Sequence, residues 1–158
     1  MRHAKSSWEY PEIADHDRPL NEKGISDAYK ISKYLLSLDF NPDLIICSPS
    51  VRTYSTAKIL IETLKCGYQK LSFNTEIYES NAHKISIAIN NTNSNISSLL
   101  LIGHEPSLTD FCAQFLQINL LKIPTSGFVF IDVESNSWNN INHNNSKFLG
   151  LTKVSDLK

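Results

Sequence analysis

The chain predicts an α/β fold: one domain over residues 1–158, a three-layer sandwich with helices flanking a mostly parallel central sheet. Three observations carry this expectation. Short apolar runs alternate with segments whose apolar residues recur at helical spacing. Leu99–Ile102 (LLLI) is apolar without a break, as in strands buried on both faces of a parallel sheet. Breakers such as Asn41-Pro42, Gly67 and the asparagine-rich residues 90–95 separate the segments.

Residues 4–20 are polar, hold two prolines and lack sustained periodicity, so they read as a long surface loop. Asn21 is an N-cap for a helix running to Leu38, with Ile25, Ala28, Ile31, Ser32, Leu35 and Leu36 at helical spacing. Residues 43–47 (DLIIC) form a short buried strand. Ser48-Pro49 opens the next helix, serine as N-cap and proline at the first helical position. That helix runs to about Lys65, buries Ala57, Leu60, Ile61 and Leu64, and stops at Gly67. Leu71–Phe73 is a short strand, and Ser80 caps a helix to about Asn90 that turns Ala82, Ile85, Ala88 and Ile89 inward.

After Leu99–Ile102, Ser107-x-x-Asp110 resembles a capping box for a helix to about Leu116, with Leu108, Phe111, Cys112 and Phe115 inside. Phe128–Val133 reads as a strand. Residues 135–146 are an asparagine-rich turn, with Trp138 and Ile141 offered as a further strand, and the tail from Lys147 is weakly patterned.

Fifteen basic against sixteen acidic side chains leave a net charge of -1, with no electrostatic footprint for nucleic acid or an anionic membrane. The three cysteines, Cys47, Cys66 and Cys112, are odd in number, lack CxxC spacing and read as small buried hydrophobes in a reducing compartment. No signal-type apolar run follows Met1, and no run approaches the roughly 20 residues of a membrane span. A cytoplasmic monomer is expected.

Three stretches carry the chemistry. Arg52 sits in the first turn of its helix, where the positive macrodipole disfavours a cation by a few tenths to ~1 kcal/mol. A bound phosphate sharing that helix end removes the conflict; the alternative is an Arg52 facing solvent or a surface carboxylate. His104 follows Gly103 at a strand end, as a phosphate ligand or as a satisfied structural histidine. Arg2-His3 adds a second guanidinium and a second imidazole, and histidine is a competent nucleophile towards phosphorus when cations offset the gathering charge. In an open α/β sheet such segments converge beyond the carboxyl ends of the strands. Asp15-His16-Asp17 matches no HExxH or Cys/His ligand pattern, so no metal is expected; no Walker, GxGxxG or GxSxG motif occurs.

Arg2-His3-Ala4-Lys5-Ser6-Ser7-Trp8, the stretch from Asp15 to Gly24, Ser48-Pro49-Ser50-Val51-Arg52-Thr53, Gly103-His104-Glu105-Pro106-Ser107-Leu108 and Pro124-Thr125-Ser126-Gly127 together resemble the SixA-type phosphohistidine phosphatases. These are a branch of the histidine phosphatase (phosphoglycerate mutase-like) superfamily, and the resemblance spans the chain in motif order. It implies His3 as the nucleophile forming a transient phosphohistidine, Arg2, Arg52 and His104 as the phosphoryl cradle, and Arg18 as a pocket residue. It implies no metal or organic cofactor. Glu79 is the first candidate for a general acid and Glu105 the second, while the alternative for Glu79 is a residue favoured only by the helix dipole. Only Met1 precedes Arg2-His3, so most of the family's first strand is expected to be lacking.

The expected function is a metal-independent phosphatase acting on a phosphohistidine-carrying protein. The alternatives are a phosphatase for small phosphorylated substrates on the same site and a non-catalytic phosphate-binding module.

Overall fold

The computed structural model describes residues 1–157. Its elements run in the order α1 (Glu22–Ser37), β1 (Leu44–Cys47), α2 (Val51–Leu64), β2 (Leu71–Phe73), α3 (Ala82–Asn90), β3 (Leu99–Ile102), α4 (Ser107–Leu116), β4 (Phe128–Val133) and β5 (Ser146–Thr152). Among the described residues no helix is long and apolar enough to cross a membrane.

A parallel sheet, ordered β2-β1-β3, forms the middle layer, with Ile45 opposite Leu71 on one side and Leu100 on the other. Side chains alternate across it. Ile45, Cys47, Leu100 and Ile102 join one core cluster with Ile31 and Leu35 of α1 and Leu60 of α2. Ile46 and, at its margin, Leu99 and Leu101 join the other, with Ile85 of α3 and Phe111 of α4. The expected three layers are therefore present, α1 and α2 on one face and α3 and α4 on the other. Each fully buried Ile or Leu, such as Ile31, Leu60, Ile85 and Ile102, contributes roughly 1.5–3 kcal/mol.

Several local expectations give way. Ile25 and Leu36 are exposed, because the buried stripe of α1 is centred on Gly24, Asp27, Ala28, Ile31 and Leu35. Ser48 caps nothing: α2 starts at Val51 after Ser50, while Ser48 is fully buried beneath His104. Lys65, in the left-handed region at φ 54°, ends α2 before Gly67 is reached. Asn81, not Ser80, caps α3 through its side chain, and Ser107 donates to the His104 carbonyl instead of closing a capping box. Trp138 and Ile141 lie on no strand; the Trp138 indole donates to the Ile96 carbonyl at 2.7 Å. The weakly patterned tail forms β5, antiparallel to β4, with a register shift at Phe130/Ile131.

Residues 4–20 are more than a surface loop. Ser6 bridges Leu20, Ser7 N–H donates to the Pro19 carbonyl, and Arg18 is buried, so the two ends are clamped while Asp15–Asp17 forms a short 3-10 turn. Gly24 makes the clamp possible, because a Cβ there would fall 2.1 Å from the Lys5 carbonyl oxygen.

Residues 1–3 lie between the end of β3 and the start of β4. Arg2 forms a parallel bridge with Gly103 and its N–H donates to the Gly127 carbonyl. Beyond Met1, the facing edges of β3 and β4 line an apolar cavity of about 520 Å³.

Candidate active site

His3 stands on the floor of the site because its backbone is held on both sides. His3 N–H donates to the Gly103 carbonyl (3.1 Å), Ser126 N–H donates to the His3 carbonyl (3.2 Å), and Ala4 N–H donates to Thr56 Oγ1 on α2 (3.0 Å).

The His3 ring has a defined tautomer. Its Nδ1 lies 2.7 Å from the Ala4 carbonyl oxygen, which can only accept, so Nδ1 carries the proton and Nε2 keeps the lone pair. Burial pushes the ring down to about 4, with Arg52 and Arg2 adding to the shift and the Ala4 hydrogen bond opposing it. At neutral pH His3 is an uncharged imidazole with an available Nε2.

The parallel sheet delivers two more groups. His104, just past β3, places its ring centroid 5.0 Å from that of His3 and its Nε2 2.8 Å from Ser48 Oγ, just past β1. Burial and the neighbouring His3 and Arg52 push His104 down to about 3. Arg52 arrives from the first turn of α2 with its side chain 8% exposed. Arg2 Nη1 donates to the Ile123 carbonyl at 3.1 Å, while its Nε is buried without a partner among the described residues. Burial lowers the Arg2 pKa, partly offset by Glu105. Arg2, His3, Arg52 and His104, expected to meet, do meet.

The other three candidates differ. Arg18 is fully engaged as a strut: Nε to the Ser7 carbonyl (2.9 Å), Nη2 to Ser6 Oγ (2.9 Å) and Nη1 to Asp15 Oδ1 (3.0 Å), with Trp8 3.3 Å from its guanidinium carbon. It reaches Arg52 through Asp15. Glu79 is exposed, in the left-handed region at φ 47°, and forms no hydrogen bond or ion pair among the described residues. Glu105 is half-buried, accepts from Thr109 Oγ1 at 2.6 Å, and has its pKa raised by burial against the pull of Thr109 and Arg2.

Sequence reasoning missed Asp15 as part of this site. Its carboxylate pairs with Arg52 Nη2 (2.7 Å) and accepts from the Tyr78 hydroxyl (3.1 Å), and Arg52 Nη1 donates to its backbone carbonyl. Burial raises the Asp15 pKa, but the hydrogen bonds from Arg52 and Arg18 outweigh it and hold the group at about 2. The dipole conflict at Arg52 was the available signal: it called for an anion, and in the free protein Asp15 is that anion. Tyr78, edge-on to His104 at 5.6 Å, had no such signal.

The site is therefore a neutral imidazole with a free Nε2, flanked by two guanidiniums and a second imidazole. Negative charge gathering on a phosphoryl group meets preset donors there.

Comparison with known proteins agrees in kind. The model of the histidine phosphatase superfamily (branch 1) matches residues 1–86. An uncharacterized chloroplastic protein of Arabidopsis thaliana is 30% identical over 147 residues, 87% of this chain and 66% of its own length. An uncharacterized protein of Mycobacterium tuberculosis is 30% identical over 144 residues, 84% of this chain and 87% of its own. Among solved structures, the protein histidine phosphatase SixA complexed with tungstate superposes with a TM-score of 0.84 at 18% identity, covering 100% of this chain and 97% of its own. A mycobacterial glucosyl-3-phosphoglycerate phosphatase in complex with VO3 superposes with a TM-score of 0.68 at 12% identity, covering 94% and 95%.

Proposed function

The chain belongs to the histidine phosphatase superfamily, branch 1, and from that premise we propose that it is a metal-independent phosphatase that takes phosphate from protein phosphohistidine. The observation that carries the reading is the His3 tautomer, Nδ1–H spent on Ala4 and Nε2 free to attack beside Arg2, Arg52 and His104. In the first step the P–Nε2 bond forms as the P–N bond of a phosphoimidazole carrying an N–H on its other ring nitrogen breaks, so the electron pair stays on the ring and neutral imidazole departs. Water then attacks phosphorus, His3 leaves with the electron pair, and inorganic phosphate departs. The likeness of fold to SixA supports this substrate class. Three free buried thiols suit a reducing, cytoplasm-like compartment.

The second reading, a small phosphate ester as substrate, draws on the fold shared with the glucosyl-3-phosphoglycerate phosphatase. It needs a proton donor for an oxygen leaving group, the role for which Glu79 stands as candidate. Phosphoenzyme trapping tests the chemistry: the chain is mixed with a labelled phosphohistidine-carrying protein and quenched in alkali beside His3→Ala. Label on the wild type alone, alkali-stable and acid-labile, is the expected result. Phosphate binding without label or release would favour the non-catalytic binding module.

A further inference from the structure

We propose that Asp15 determines specificity at this site, favouring a leaving group that reacts as a protonated ring nitrogen over one that departs as an alkoxide. This rests on the phosphatase reading above and adds to it a residue with a defined role towards the leaving group. Asp15 lies on the exposed side of the site. It pairs with Arg52 and accepts from Tyr78, whose ring is edge-on to His104, and its side chain is half exposed whereas His3 is buried. In-line displacement sets the leaving group opposite the nucleophile, so it departs outwards past Asp15.

The carboxylate is fixed there. Arg18 Nη1 holds Oδ1, while Arg52 Nη2 and the Tyr78 hydroxyl hold Oδ2. Arg18 cannot yield, being bonded to Ser6 and Ser7 and covered by Trp8. Oδ1 has one partner and retains acceptor capacity for another donor.

A fixed anion at the mouth is a poor feature for gripping phosphate dianions in general, since like charges repel. It favours a substrate whose leaving end is positive. A phosphoimidazole protonated from solvent on its second ring nitrogen presents an N–H to Oδ1. When its P–N bond breaks, the electron pair remains on the ring and neutral imidazole leaves, as the new bond forms from phosphorus to His3 Nε2. An alkoxide leaving past the same carboxylate is opposed by it, and an ionised Asp15 has no proton to give.

The test compares the intact chain with Asp15→Asn, a near-isosteric change that removes the charge and replaces one accepting oxygen by a donor, on phosphohistidine and on an alkyl phosphate ester. The expected result is a kcat/KM on phosphohistidine that falls at least 10-fold further than that on the ester. Inorganic phosphate should inhibit the variant at equal or lower concentration. Equal losses on both substrates would reduce Asp15 to a support for Arg52 and overturn the proposal, as would an unchanged ratio. A wild type that transfers no phosphoryl group from phosphohistidine to His3 would instead bring down the functional reading, and this inference with it.

Discussion

His3 and His104 make a linked claim about acidity at the scale of single residues. Both are neutral in the fold, at about 4 and about 3, against an ordinary value of 6.5 that the unfolded chain retains. The unfolded state therefore binds more protons below pH 6.5, and stability falls as pH drops from there through about 4 and about 3; above 6.5 it is fully present. Each ring should cost about 1.4 kcal/mol per pH unit within its window. Denaturant midpoints measured from pH 7 to 4 should drop steadily, and the His3→Asn/His104→Asn double variant should flatten that slope. Asp15 acts in a lower window, between 3.8 and about 2, and adds little because its carboxylate is half exposed. At this scale the sequence made His3, Arg2, Arg52 and His104 legible, since each sits at a strand or helix end where an imidazole or guanidinium has a chemical purpose. Asp15 was hidden because its two guanidinium partners lie 3 and 37 positions away, and only the second matters to the pocket.

Among the elements, the start of α1 bears most directly on the site. Asn21 Oδ1 accepts from Gly24 N–H at 2.8 Å, and Asn21 N–H donates to the Lys5 carbonyl at 3.0 Å, two residues from His3. Gly24→Ala would drive a methyl group into that same carbonyl. A loss of about 1–3 kcal/mol in chemical denaturation is expected, together with reduced turnover, because Lys5 can give way only by moving His3. The helices and the strands β1 to β4 followed from local periodicity, and Asn21 caps α1 as expected, but the caps expected for α2, α3 and α4 did not form. Ser48-Pro49 has the composition of a cap, yet the Ser48 hydroxyl lies against His104 Nε2 and Thr53 Oγ1 donates to the Ser48 carbonyl. The hydroxyl is turned to a neighbour in space, so its oxygen accepts from no N–H of the helix end.

For the whole molecule, the strands form two hydrogen-bonded sheets of unequal support. β1 is hydrogen-bonded on both sides within the parallel sheet, while among the described residues β4 and β5 form strand pairs only with each other and expose Phe148 and Leu149. The amides of Ile45, Ile46 and Cys47 should therefore be the slowest in native-state hydrogen exchange, and those of β5 among the fastest of any strand. Uniform protection across the two sheets would contradict this reading of the fold. The amino-acid sequence by itself determined the three layers and the parallel strands, because apolar period is a local property, and its motifs marked Arg2, His3, Arg52 and His104 as the residues to converge. Only the tertiary structure decided that the tail becomes β5, that Ser48 serves His104 and that Asp15 guards Arg52. Each of these is a pairing between groups that share no local pattern, and it exists only once the sheet has brought them within hydrogen-bonding distance.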